Sequence, residues 1–324
     1  YSTIDKSTLH MNANLWTGDG SSQAITGVGF QPDATWIKGR HVSSHKMTDS
    51  ARGVTKEVEP NSTGAEYTEA NGLTAFGADG YTVGSNGAYN GNGNDYVGWS
   101  WKGGGAGSAN TDGTISSTVS VNATAGFSLV TYTGNGTQDA TFGHGLGKAV
   151  KLVIIKNRST TEGWVVGHKS LPFTKLMKLD TGNAQSTSSA YFGNVNPSTT
   201  VVTLGNDGGV NNSGDNYVAY CWAPITGYSS FGQYVGNNST DGPFIYTGFR
   251  PLFMITKSKT SGEAWNINDG VRITGQSSAL RRNPNGYFMY CNNTGAEHTA
   301  LTHNEIDLYC NGFKLRAAHG QYNG

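Results

Sequence analysis

Two groups of histidines and carboxylates are the first candidates for chemistry in this chain. His41, His45 and Asp49 follow one another at four-residue steps, a spacing that would line up three metal ligands on one face of a helix. The intervening Val-Ser-Ser and Lys-Met-Thr do not read as helix, and the related segments further along keep no such pair, so metal binding is not expected there. His298, His303, Glu305 and Asp307 form the second group, without ligand spacing, and read as a solvated loop. A sharper signal is Asp49-Ser-Ala-Arg52, which returns as Asp269-Gly-Val-Arg272, with His168 at the matching place between them. An Asp three residues before an Arg can hold a turn by an ion pair and by capping backbone N–H groups. That structural use is the expectation, and a ligand-facing pair is the alternative.

Other catalytic signatures are missing from the sequence. It has no Gly-x-Ser-x-Gly elbow, no zinc helix motif and no phosphate loop ending in Lys-Ser/Thr. The glycines of Gly103 to Gly107 lack the strand before and helix after that a phosphate cradle needs, and read as a linker. Two carboxylates for glycoside cleavage need only meet in space, but acidic residues are sparse and none recurs in a paired pattern. No catalytic residue, cofactor or metal site is therefore assigned. Aromatic rings beside amides are more promising, because a sugar offers an apolar C–H face and a polar rim. On that ground Tyr89, Asn90 and Asn92, Asn211 and Asn212, and Tyr322 and Asn323 are candidate ligand contacts in three similar loops. Trp164 and Trp265, each following a polar loop, join them, with core packing as the competing fate.

The elements that would position these residues repeat at roughly 100-residue spacing. Trp16-Thr-Gly-Asp-Gly20 returns as Tyr132-Thr-Gly-Asn-Gly136 and as Tyr234-Val-Gly-Asn-Asn238. Apolar strands ending in Lys38, Lys156 and Lys257 form a second series. Short runs rich in Val, Ile, Phe, Tyr and Trp, bounded by Gly, Asn, Asp and Ser, are the strand signature, and no segment keeps a helical period. An all-β fold follows: three tandem β-sandwich repeats, jelly-roll or lectin-like, strung in series. Their expected bounds are 15–102, 127–224 and 230–324, with a lead-in over 1–14 and a Gly-rich linker over 103–126. Leu152–Lys156 and Leu252–Thr256 are continuous enough to be central strands buried on both faces. In the first two repeats an Asn/Gly loop leads into a closing aromatic strand, Tyr96–Trp101 or Tyr217–Trp222. The third repeat reaches Gln321-Tyr-Asn-Gly324 without one, so either a longer native chain or a neighbouring subunit is expected to supply it.

Composition limits the partners. Twenty-two basic and 22 acidic residues leave a formal net charge of +0, which gives no electrostatic footprint for nucleic acid or for an anionic membrane. No apolar run is long enough to insert into a bilayer. The three cysteines are too few for a disulfide framework; Cys221 reads as a buried thiol, and Cys291 and Cys310 could pair.

Several stretches together resemble a known family: Tyr1–Lys6, Leu15–Gly18, Gly27–Asp33, Trp36–Lys38, Asn71–Thr74, Gly145–Gly147, Asn157-Arg158, Asp241–Pro251 and Asn311–Arg316. They are similar to a repeat family of tailed-phage structural proteins, abundant in marine and freshwater phages and cyanophages, described as tail-fibre-like or receptor-binding virion proteins. Two departures stand out: Gly39 precedes Arg40 where many members have Asn-Arg, and the third repeat lacks its closing strand. By its start the resemblance places Tyr1 near the native N-terminus, so that any further residues are expected at the C-terminal side. It implies a non-enzymatic protein of the virion surface, a homo-oligomer with a trimer favoured. Its partners would be other virion proteins and host-surface polysaccharide, bound with strength from many weak sites. A decoration or lattice-forming protein without receptor recognition is the alternative, and a polysaccharide depolymerase a lesser one.

Overall fold

In the computed structural model, which describes residues 2–272, 283, 285–299 and 305–324, the all-β expectation holds: several antiparallel sheets make up the chain, and its α-helices are single turns. His303 lies outside the described residues.

One large sheet runs in the order Met11–Thr17, Asp95–Trp101, Ala34–Gly39, Lys46–Asp49, Gly53–Val58, Tyr67–Thr68. A second has the same centre, with Phe127–Thr133, Asn216–Trp222, Leu152–Asn157, Val165–His168, Lys175–Lys178 and Ser186–Thr187 in corresponding places. We call the first strand of each series the opening strand, the second the closing strand, and the next three the inner, return and flank strands. Among the described residues a third, shorter sheet holds an inner strand, Phe253–Thr256, a return strand, Asn266–Asp269, and a flank strand, Met289–Tyr290. Registers agree between copies: Trp36 lies opposite Trp99 and Met47, Ile154 opposite Tyr220 and Val166, and Ile255 opposite Ile267.

The alternation of side chains gives each large sheet two buried faces. From the closing strand of the first, Tyr96 faces a local core shared with Trp16, Ile25, Leu73 and Tyr81, which a small three-stranded sheet completes. Val97, Trp99 and Trp101 point the other way. In the second sheet Tyr217, Ala219 and Cys221 face a local core with Phe142 and Val202, while Val218 and Tyr220 point away. The outward-pointing residues of all three sheets meet in one further cluster that also takes in Trp36, Trp164, Trp265, Ile267 and Met289. The repeats are therefore not strung in series. Each has a face too apolar for water, and the three faces bury one another.

The segment 103–126, read as a linker, also belongs to the sheet. Ser108–Asn110 and Ser117–Asn122 add two strands beside the second opening strand. Gly107, at φ +87°, lets the backbone pass Val119 where a Cβ would come within 2.9 Å of its carbonyl carbon. Composition marked flexibility there, but the glycines serve close approach.

Gly18 explains the aromatic-x-Gly motif. A Cβ at this position would lie 2.3 Å from the Gly91 carbonyl oxygen, so the loop before the closing strand can pack only against glycine. Gly134 stands in the same relation to the Asn212 carbonyl, also at 2.3 Å. Gly18→Ala should lower stability by about 1–3 kcal/mol through overpacking. Gly87→Ala, where a Cβ meets nothing within 4 Å, should stay within about 0.5 kcal/mol. Urea midpoints of the two variants check this.

Candidate functional site

The three loops that hold the sugar-contact candidates share one geometry. Asn90 and Asn323 each end a one-turn helix, Asn211 follows a turn in which its N–H bonds the Asp207 carbonyl, and all three are fully buried. Each side-chain oxygen accepts a backbone N–H: from Asp19 at 3.2 Å, from Asn135 at 2.9 Å and from Asn237 at 2.8 Å. Each amide nitrogen donates across the loop, to the carbonyls of Ser21 at 2.8 Å, Thr137 at 2.9 Å and Ser239 at 2.7 Å. Each main-chain oxygen accepts from the turn that opens its repeat, at the N–H of Gly20, Gly136 and Asn238. These asparagines are clamps that satisfy buried backbone groups, not ligand contacts.

The aromatic candidates are likewise interior. Tyr89 is buried, with its hydroxyl donating to Glu57 Oε2 at 2.8 Å. Tyr322 is buried, with its hydroxyl on Asn268 Oδ1. Trp164 and Trp265 lie in the central cluster. Of the nine candidates only Asn92 and Asn212 are exposed. The correction has a plain cause: aromatic and amide side chains solve buried packing and buried hydrogen bonding as well as they bind sugars, and in these repeats the interior takes them.

The tryptophans do more than pack. Trp164 Nε1, at the base of the second return strand, donates to the Glu59 carbonyl beyond the first flank strand at 2.9 Å. Trp265 Nε1 donates to Lys178 O, in the second flank strand, at 2.8 Å. His45 occupies the matching place in the first sheet, and its Nε2 contacts the Tyr290 carbonyl of the third at 2.9 Å. Since His45 Nδ1 accepts from Trp36 Nε1 at 2.8 Å, the ring is neutral with its proton on Nε2. Second unit to first, third to second, first to third: the contacts form a closed cycle. A second series crosses the same three junctions with the opposite sense of donation, and a third lies within the units. The N–H groups of Glu66, Gln185 and Glu297 donate to the carbonyls of Arg158, Lys259 and Arg40, and the N–H groups of His45, Trp164 and Trp265 are held by Asn61, Asp180 and Asn292.

Ion pairs brace two of the three junctions. Asp49 and Arg52 are fully enclosed, Nε to Oδ2 at 2.5 Å, and Arg52 reaches Glu66 at 3.0 Å, which Arg158 of the next unit also holds at 2.9 Å. Asp269 and Arg272 repeat this at 2.6 Å, with Glu297 and Arg40. A neighbour's closing strand caps each Asp: Tyr220 hydroxyl on Asp49 Oδ2 at 2.8 Å, and Trp99 Nε1 on Asp269 Oδ2 at 3.0 Å. At the third junction His168, Leu171 and Gln185 stand in the corresponding places, and among the described residues no ion pair crosses it. The Asp-x-x-Arg motif is thus structural, as expected.

The remaining sequence candidates separate. Among the described residues no three His, Cys, Asp or Glu gather to hold a metal ion. His298 stacks on Phe288 at 4.6 Å, and Asp307 takes Arg316 Nε at 2.6 Å. All three cysteines are free, with Cys221 and Cys291 buried. The strand-ending lysines tie loop carbonyls: Lys38 donates to Gly39 O at 2.7 Å, Lys156 to Glu162 O at 2.7 Å and Lys257 to Ser258 O at 2.6 Å. Burial holds the ammonium groups of Lys38 and Lys156 down to about 8. One cluster was not anticipated: Lys46 contacts Glu57 and Glu59 at 2.5 Å each, and the Tyr67 hydroxyl bonds both carboxylates. The Glu-x-Glu spacing, which puts two carboxylates on one strand face, was its signal.

A cavity of about 600 Å³ opens beside the third sheet. It is lined on one side by Phe231–Tyr234 and on another by Leu252–Thr256, with Trp36, Trp101, Trp164, Tyr220, Trp222 and His168 behind.

These features define an all-β protein of three mutually buried sheets. The chain belongs to a family described as a domain of unknown function, DUF7483, which matches residues 6–324. No curated protein and no solved structure matches it.

Two outcomes follow. Asp49→Asn, which leaves Arg52 as a buried cation without its main partner, should cost about 3–5 kcal/mol in chemical denaturation. Burial, with the Lys38 charge adding to it, pushes His45 down to about 3, and burial pushes His168 to about 4. Below about pH 6.5 the unfolded chain takes protons that these folded imidazoles refuse. Stability should therefore fall as pH falls from about 6.5 toward 4, by at most about 1.4 kcal/mol per pH unit for each histidine. His45→Phe should be less stable at pH 7 yet show a shallower acid slope in urea titrations across that range.

Proposed function

We propose that this protein is a non-enzymatic structural component of a virion, built to assemble with other virion proteins. The observation that carries the reading is the internal use of the polar residues that recur between repeats. Asn90, Asn211 and Asn323, the Asp-x-x-Arg pairs and the three lysines all satisfy groups of the same chain. The resemblance of the repeats to tail-fibre-like proteins supplies the virion setting. The homo-oligomer belongs to this reading, with a trimer favoured by the same resemblance, as does a place on the outside of the particle.

Within that setting the burial of Tyr89, Tyr322, Trp164 and Trp265 favours decoration or lattice assembly over adhesion to host polysaccharide. Adhesion keeps the exposed loop amides Asn92 and Asn212 as its support, without an aromatic platform beside them. Depolymerase action has the least support, because Glu57 and Glu59 are tied to Lys46.

Antibody labelling of intact particles, viewed by electron microscopy, tests the reading. Regular labelling on capsid or tail is the expected result, and absence of the protein from purified particles would sink it. Glycan arrays probed with the purified oligomer should show no saturable signal; a signal lost in the Asn92→Ala, Asn212→Ala double variant would restore the adhesion account.

A further inference from the structure

We infer that the first unit is the site of a self-formed covalent bond, an amide that joins Lys46 Nζ to the side-chain carbon Cδ of Glu57. The bond forms after folding, with loss of one water, and needs no partner. This goes beyond the virion reading and does not depend on it.

The argument starts from strand register. Met47 on the return strand lies opposite Val58 of the flank strand, and Glu57 lies opposite Tyr67 of the strand beyond it. Lys46, Glu57, Glu59 and Tyr67 therefore share one sheet face across three strands. Lys46 and Glu57 are buried there, with Nζ 2.5 Å from Glu57 Oε1 and 2.5 Å from Glu59 Oε1. The Tyr67 hydroxyl lies 2.7 Å from Nζ and 2.8 Å from Glu59 Oε1, and it also bonds Glu57 Oε1. From the one-turn helix Gly87–Asn90, the Tyr89 hydroxyl donates to Glu57 Oε2 at 2.8 Å.

Folding alone does not call for this set. Val165 and Asn266 take the place of Lys46 in the other two units, which form the same strand pairs. One ammonium facing two carboxylates also leaves an excess negative charge that burial disfavours. What the set supplies is each part of an acyl transfer. Nζ is the nucleophile, held beside the carbon it attacks by its contact with Glu57 Oε1. Glu59, partly open to water, is the base. Tyr89 places a donor on Oε2, where negative charge gathers as the carbon becomes tetrahedral. Tyr67 touches nucleophile, base and leaving oxygen, which makes its hydroxyl the path for protons.

The step balances without a further reagent. Glu59 takes one proton from the Lys46 ammonium, and the freed amine attacks Glu57 Cδ. The Nζ–Cδ bond forms and the Cδ–Oε1 bond breaks. Oε1 leaves as water with two protons, one returned from Glu59 through Tyr67 and one given up by Nζ. An ammonium and a carboxylate become a neutral amide, Glu59 ends as it began, and one buried ion pair is removed. Exclusion of bulk water from Lys46 and Glu57 then opposes hydrolysis.

The bond would tie the return strand to the most distorted strand of the unit. Thr55, a β-branched residue, sits at φ +63° in the flank strand, and the pairing shifts register between Met47 and Asp49. Just beyond that strand the Glu59 carbonyl receives Trp164 Nε1. Fixing the flank strand therefore also fixes the acceptor at the junction of the first and second units.

The test is the mass of the full 324-residue protein, measured by electrospray after denaturation. It should be lighter than its sequence by one water. After trypsin, Lys46 should remain uncleaved, and the fragment that begins at His41 should stay joined to the one that begins at Glu57. Lys46→Arg keeps the charge but cannot form the amide, and should restore the full mass with an unchanged far-ultraviolet spectrum. Glu59→Gln should slow bond formation by about a hundredfold or more in a time course after cell-free synthesis. The inference falls if the unaltered protein has the full mass of its sequence, if the missing water maps to another site such as an Asp-Gly imide, or if Lys46→Arg keeps the loss. Bond formation at an unchanged rate in Glu59→Gln would overturn the proton path.

Discussion

The structure depends on the mutual burial of three sheet faces that no single repeat could leave in water. Trp36, Trp99, Trp101, Trp164, Tyr220 and Trp265 contribute to this one cluster, drawn from all three repeats. Large aromatic surfaces provide the driving force, but a hydrophobic cluster alone does not set direction. Direction comes from the indole or imidazole N–H that each unit gives to a main-chain carbonyl of its neighbour. Because the donor lies at the start of a return strand and the acceptor at the end of a flank strand, each contact fixes both the rotation and the height of adjacent units. Three contacts of one sense close the cycle without a free end.

Charge follows the same plan. A buried ion pair is weak evidence for net stability, since desolvation offsets much of the attraction. Its value here is registry: Arg52 and Arg272 each hold an Asp and a Glu of their own unit, and Arg158 and Arg40 reach those same glutamates from the next. At His168 and Leu171 the described residues hold no such pair. An uncapped Asp–Arg pair at His168 and Leu171 would face a cavity, and the neutral set avoids leaving a charge there partly desolvated.

Much of the fold was legible in the sequence because strand signals are local. Short β-branched and aromatic runs between glycines gave the all-β class, and the recurrence of Gly18, Gly134 and Gly236 marked the loops correctly. The Asp-x-x-Arg motif was readable because both partners lie within one turn. What could not be read was side-chain destination: Tyr89 and Trp164 have the same composition around them whether they face solvent or a neighbouring unit. The packing of the repeats around one cluster was also hidden, because the contact from Trp164 to Glu59 or from His45 to Tyr290 leaves no mark at any local spacing. The substitution of His45 for tryptophan removed even the residue identity that would have linked the three positions.

The closing contact joins residues 245 apart in sequence, from His45 to Tyr290. The first unit therefore emerges from synthesis with Trp36, Trp99 and Trp101 on a face whose final partners have not yet been made. Loop closure over such distances makes folding slow relative to chains with local contacts. In the interval the exposed aromatic face of the early units is open to association with other chains. The cycle that gives the finished protein its order thus also sets the period in which it is most vulnerable, and that period ends only when the third unit docks.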